Sequence, residues 1–250
     1  MMPPYSSAVI LDMLRAEADP ASVVGMARYG ISPQSTLGVS MPFLRGLARQ
    51  TSCDHGLALD LWASGVHEAR ILAALVDDPR LVTEAQMEEW VAGLDSWDVC
   101  DQLCGNLFDK SPFAYAKASE WSSRPETFVK RAGFVLMTQL AVHDKAAPDE
   151  PFEVFLTLVA REAGDERNFV KKAVNWALRQ IGKRNVILHA RAVATAETIA
   201  AMDSKAARWV AADALRELRS DAVRRRLGVG TSSATVKTSR KAAPSPERPS

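Results

Sequence analysis

From Val9 to Arg226 the apolar residues recur at the three- and four-residue spacing of helices, and the breaks between these runs are short. No stretch shows the sustained apolar/polar alternation of a strand bounded by turn residues. Val9, Leu11, Met13 and Leu14 mark a first amphipathic segment, and Pro20 is placed to open a second in its first turn. Pro42-Phe43-Leu44 opens a third. Leu57 to Trp62 and Ile71 to Val76 read as a short antiparallel pair broken at Ser64-Gly65, and Thr83 with Gln86 resembles a capping box. Further helical segments are expected over 96–108, 112–122, 125–142, 150–163, 167–183, 186–202 and 205–226, separated by punctuation such as Asp78-Pro79, Arg124-Pro125, Pro148-Asp149 and Gly164-Asp165. Helices joined by short loops pack as antiparallel neighbours, and about a dozen of them in series predict an all-α solenoid of helix pairs. The last stretch, 228–250, is rich in Gly, Ser, Thr, Ala and Pro and carries Lys237, Arg240, Lys241 and Arg248. It reads as a disordered basic tail after a helical domain spanning 1–227.

The formal net charge of the 250 residues is +1, so a strongly basic field over the whole protein is absent, and nucleic-acid binding would need a local basic face. Cys53, Cys100 and Cys104 are too few and too irregularly spaced for a disulfide framework or a zinc site and read as reduced thiols. The N-terminus lacks the pattern of a secretory signal, and no apolar run approaches the ~20 residues of a membrane span. A cytoplasmic, monomeric protein without metal or cofactor is expected. Gly-rich phosphate loops, paired metal-binding histidines and the Gly-x-Ser-x-Gly elbow are all missing, and His55, His67, His143 and His189 are scattered.

The chemistry therefore falls on Trp, Asp and Arg. In Ser96-Trp97-Asp98-Val99-Cys100-Asp101, the i, i+4 spacing points Trp97 and Asp101 from one helical surface. A π-face beside an anion can receive a cation, or charge that becomes cationic during a reaction. Arg131 shares a face with Phe128 and Val135, so it needs an anionic or carbonyl partner: either Asp98 or Asp101 of this chain, or a phosphate of a ligand. Trp176 sits beside the core stripe Val170, Val174, Ala177, Leu178 and Ile181, while Lys172, Arg179 and Lys183 form a row of cations on the same helix. Cations interleaved with an aromatic suit a surface that tracks a nucleic-acid backbone; the alternative is a core-edge Trp with solvated lysines and arginine.

Several pieces resemble the AlkD-like DNA alkylation-repair glycosylases, which are built from HEAT-like helical repeats. They are Met26-Ala27-Arg28-Tyr29, Leu37-Gly38-Val39-Ser40-Met41-Pro42-Phe43-Leu44-Arg45, the segment from Ser96 to Asp101, Val129-Lys130-Arg131-Ala132, and the run from Phe169 to Arg179. The resemblance spans residues 8–226 and implies a concave basic groove that holds duplex DNA. It carries the family's lesion-facing residues onto Trp97, Asp101, Arg131, Trp176 and Tyr29, with Asp98 in structural support. It further implies hydrolysis of the N-glycosidic bond of alkylated, cationic bases of the 3-methyladenine and 7-methylguanine type. Asp101 would stabilise the sugar oxocarbenium and orient water, Trp97 and Trp176 would hold the nucleotide, and Arg131 would grip a phosphate, without a lysine nucleophile or strand cleavage. The competing expectations are a non-catalytic HEAT-like protein that binds distorted or branched DNA and a protein-interaction scaffold.

Overall fold

A computed structural model describes residues 5–229, and among them every regular element is helical. Fourteen α-helices and one 3-10 turn follow one another: α1 Ser7–Ala16, α2 Pro20–Ala27, α3 Met41–Thr51, α4 His55–Ala63, α5 His67–Val76, α6 Glu84–Ala92, α7 Trp97–Asn106, a 3-10 turn Phe108–Lys110, α8 Ala114–Trp121, α9 Thr127–His143, α10 Glu150–Glu162, α11 Asn168–Ile181, α12 Val186–Ala200, α13 Lys205–Leu218 and α14 Asp221–Leu227. The expected tail lies outside the described residues apart from Gly228 and Val229. No helix among the described residues is long and apolar enough to cross a membrane.

The helices stack as antiparallel pairs in two rows. One row runs α3, α5, α7, α9, α11 and α13, each packed on the next, while α8, α10 and α12 line up behind it. Local chemistry sets the helix starts. Asp19, Asp54, Thr83, Asn185, Ser204 and Ser220 each accept a backbone N–H of the first turn, and Pro20 occupies that turn in α2. The capping box at Thr83 is half formed. Thr83 accepts from the Gln86 backbone at 3.1 Å, but the Gln86 amide donates to Asp77 Oδ2 at 2.7 Å rather than turning back. The expected helix over 205–226 is two helices, because the chain bends at Arg219 and Ser220 caps a fresh start. In α1 the core face is Ile10 and Leu14, and Val9 is exposed.

Packing is densest at α9, whose Val129 through Thr138 are all buried. An apolar helix buried on more than one side is what the middle of a solenoid requires. Gly133 lets α8 close on it, since a Cβ there would lie 2.6 Å from the Ser122 nitrogen. Behind this row an aromatic ladder runs through the core. Trp62 stacks on Trp90 with centroids 4.3 Å apart, Trp90 meets Phe108 at 6.3 Å, and Phe108 meets Trp121 at 6.1 Å.

Polar staples fix the repeats relative to one another. Buried Lys117 of α8 bonds Glu84 and Glu88 of α6 and its own Glu120 at 2.7–2.8 Å. Lys130 reaches Glu162 at 2.7 Å, and Asn175 donates to the Val210 carbonyl at 3.0 Å. The segment between α2 and α3 has no regular structure of its own. Glu68 of α5, 1% exposed, organises it by accepting the backbone N–H groups of Leu37, Gly38 and Val39 at 2.6–3.3 Å. Glu68→Ala strands these donors in a buried setting and is expected to cost about 2–4 kcal/mol, with Glu68→Gln costing less, as measured by chemical denaturation.

Candidate nucleic-acid interface

The site is built where the α2–α3 segment meets α7, α9 and α11. Two open cavities adjoin there. One, of about 700 Å³, is lined in part by Tyr29, Trp97, Asp98, Asp101, Gln139 and Trp176. The other, of about 530 Å³, is lined in part by Arg28, Tyr29, Trp97, Arg131, Asn168 and Lys172. Tyr29 and Trp97 belong to both. The structure thus gathers Tyr29, Trp97, Asp101, Arg131, Trp176 and Lys172 at one place from residues spread over nearly 150 positions of chain.

Trp97 opens α7 and is half-buried. Its indole nitrogen donates to the Tyr29 carbonyl at 3.0 Å, closing the α2–α3 segment over the site. The neighbouring Gly30 has φ +81° and lies against the Phe169 ring, where a Cβ would come within 2.8 Å. Tyr29 itself is 72% exposed, so its ring is available to a ligand. Trp176 is half-buried at the other side of the cavity. In the amide orientation that satisfies both groups, Gln180 accepts from Trp176 Nε1 and Lys183 Nζ, each at 3.2 Å.

Arg131 and Asp101 are partners. Nε and Nη2 of the guanidinium donate to the two Asp101 oxygens at 3.0 and 2.8 Å, and Nη1 donates to the Phe169 carbonyl at 2.7 Å. Arg131 is 5% exposed and its guanidinium carbon sits 6.0 Å from the Trp97 ring centroid. Of the two readings open in the sequence, the structure therefore shows the internal pair, and each guanidinium nitrogen is already engaged. Burial pushes the Asp101 carboxyl above the ordinary carboxylate value, and Arg131 pulls it back. The Asp101 side chain keeps 16% of its surface open to the cavity.

Arg179 and Lys183 are placed differently from the expectation that set them beside Lys172. Both pair with Glu217 of α13, and neither lines the two cavities. They staple α11 to α13 because that flank of α11 faces a carboxylate. The cations that line the cavity without a carboxylate partner among the described residues are Lys172 and Arg28, both exposed. Arg28 was not singled out by spacing, since an arginine at a helix end carries no periodic signal. Its place beside Tyr29 in Met26-Ala27-Arg28-Tyr29 was the available clue.

Asp98 serves the scaffold. It accepts from His67 Nε2 at 2.8 Å and from the Ser96 hydroxyl at 2.8 Å. Burial acts to lower the His67 imidazole, but the Asp98 hydrogen bond and charge outweigh it and hold the group above its ordinary value. Burial acts to raise Asp98, and His67 holds it below the usual carboxylate value. His55 and His143 likewise sit against Asp77 and Asp109. Cys100 and Cys104 are buried and Cys53 is exposed.

Comparisons with known proteins agree with this architecture. Residues 10–218 match the family described as DNA alkylation repair enzyme. A solved structure described as a new family of proteins related to the HEAT-like repeat DNA glycosylases, with affinity for branched DNA structures, is similar with a TM-score of 0.73. It shares 19% sequence identity, and the match covers 90% of this chain and 97% of the other. No curated protein matches the chain.

The His67–Asp98 pair makes a pH-dependent contribution to stability whose sign is fixed. A raised imidazole contributes fully below about pH 6.5 and is lost as pH rises through its folded value. The depressed carboxylate contributes above about pH 3.9 and is lost as pH falls through its folded value. The melting-temperature gap between the wild type and His67→Gln should therefore be widest near pH 5–6 and narrow toward about pH 9. A gap independent of pH would remove the charged pair.

Proposed function

The chain belongs to the DNA alkylation repair enzyme family, and from that premise we propose that it is a monofunctional DNA glycosylase for alkylated, cationic bases in duplex DNA. The observation that carries this reading is the convergence of Tyr29, Trp97, Asp101 and Trp176 on one open cavity with unpaired cations at its rim.

A base alkylated at purine N3 or N7 already bears positive charge and leaves readily, so no general acid has to protonate it. As the glycosidic bond lengthens, positive charge passes to the deoxyribose. Asp101, whose open edge faces the cavity, stabilises that charge and orients water for attack at the sugar carbon. Trp97, Trp176 and Tyr29 offer π-faces to the cationic nucleotide, at ~0.5–2 kcal/mol each. Arg131 acts as a positioning residue that fixes the Asp101 carboxylate, while Arg28 and Lys172 contact phosphates.

A second reading is a protein that binds branched DNA without excising bases. Two observations favour it: both Asp101 oxygens are already engaged by Arg131, and the similar solved structure is described as having affinity for branched DNA.

Base release from methylated duplex DNA separates the two. The wild type is expected to free 7-methylguanine or 3-methyladenine, and Asp101→Asn to do so at least about tenfold more slowly while retaining DNA binding, a barrier raised by roughly 1.4 kcal/mol or more. No release by the wild type would favour the binding protein, and equal rates would remove Asp101 from the mechanism.

The cation assignments predict a different pattern in binding. Lys172→Ala and Arg28→Ala should each lower the slope of log affinity against log salt by about 1. Arg179→Ala should leave the slope unchanged. The reverse result would put the phosphate track on the α11–α13 flank.

A further inference from the structure

The N-terminal turn of α11 separates two cavities. Asn168, Phe169 and Lys172 face the candidate interface, whereas Glu166 and Lys171 border a second cavity of about 300 Å³ completed by Lys205, Ala206 and Trp209. This second cavity has an unusual wall. Trp209 of α13 is 41% exposed, and Lys171 Nζ lies 5.0 Å from its ring centroid. The other tryptophans in the core or the candidate site have clear occupations: Trp62, Trp90 and Trp121 fill the core, and Trp97 and Trp176 line the main cavity. Trp209 instead has Lys171 against its ring and keeps much of its surface open at the cavity.

Charge says what can use it. Neither Lys171 nor Lys205 has a carboxylate within 4.0 Å among the described residues, although many cations of this chain are paired. Glu166 is the single acid at the cavity. An indole edged by two free ammonium groups suits a polyanion that also carries aromatic faces. A single-stranded nucleic acid is such a ligand: its bases stack on aromatics and its phosphates meet the lysines. Fully paired duplex hides its base faces, so it offers nothing for this indole to stack on. The basic tail of this chain has the wrong sign of charge for the site.

Taking DNA as the ligand from the reading above, we infer that Trp209, Lys171 and Lys205 form a second DNA contact that accepts an unpaired base and its phosphates from a single-stranded stretch flanking the duplex. The consecutive residues Lys171 and Lys172 join it to the main site. DNA with a single-stranded extension should therefore be held more tightly than a blunt duplex of the same paired length.

Fluorescence anisotropy with full-length protein tests this, using a blunt duplex and the same duplex bearing a thymidine extension on either end. The wild type should prefer one extended duplex by about tenfold. Trp209→Ala should abolish that preference and leave blunt-duplex affinity within about twofold, while Trp209→Phe keeps most of it. Lys205→Glu provides a second variant that does not disturb packing. Residue 205 begins α13, where an acidic side chain favours the helix, and the substitution should also reduce the preference. Equal affinity of the wild type for blunt and extended DNA, or an equal loss on both in Trp209→Ala, would overturn the inference. Base release from blunt methylated duplex serves as the separate readout, and Trp209→Ala should match the wild type there. If the wild type releases no base yet prefers the extension, the glycosylase reading fails and this site stands.

Discussion

The guanidinium of Arg131 holds the centre of this molecule together. It takes both oxygens of Asp101 on α7 and the Phe169 carbonyl on α11, so one side chain on α9 bridges three successive helices of the inner row. Apolar burial is itself non-directional and sets the register of neighbouring helices only through the shapes that interlock. A bidentate ion pair cannot slide. Its desolvation is costly and its net stabilisation small, but removing one partner strands a buried charge at about 3–5 kcal/mol. The pair therefore fixes geometry more than it adds stability. Its consequences reach the α2–α3 segment. Arg131 lies near the Trp97 ring, Trp97 donates to the Tyr29 carbonyl, and Gly30 rests on Phe169. The walls formed by Asp101, Trp97, Tyr29 and Phe169 are thus one or two contacts from the same guanidinium.

The helical nature of the chain was legible because a 3.6-residue period survives without knowledge of partners. The Trp97–Asp101 pairing was legible for the same reason, since both residues belong to one helix. What failed to show was anything decided between helices. The partner of Arg131 is 30 residues away, and spacing left open both a ligand phosphate, the reading it favoured, and an aspartate of this chain. Arg179 and Lys183 looked like an exposed row with Lys172, yet Glu217 of α13 claims both. A cation on a helix flank carries no mark of whether the next helix brings a carboxylate. Spacing likewise grouped Val9 with Leu11, Met13 and Leu14 in one amphipathic segment without saying that Ile10 and Leu14 turn inward, a side set by which face α4 and α5 cover.

Tryptophan shows the limit most clearly. All six residues occupy helices, but they fall into different uses. Trp62 and Trp90 stack flat in the core, with Trp121 further along the ladder. Trp97 and Trp176 stand half-buried at the cavity, and Trp209 reaches solvent. Partial exposure, rather than residue type, separates the aromatics available to a ligand from those filling volume. It depends on the curvature of the whole stack and on which helix ends leave a gap.

The ion pair also bears on how strongly Asp101 can act in the proposed reaction. A bare carboxylate about 4 Å from a developing unit charge interacts by ~4 kcal/mol at an effective dielectric of about 20. With the guanidinium charge about 8 Å from the same point, the opposing interaction is ~2 kcal/mol. The remaining ~2 kcal/mol corresponds to roughly 30-fold in rate. That would be inadequate for a neutral base, whose departure needs protonation as well. For a base that already carries positive charge it is a useful share of a lowered barrier, with the aromatic contacts adding to it. Holding Asp101 by Arg131 thus trades field strength for a fixed, aimed carboxylate, and that exchange suits a substrate class whose bond is already weak.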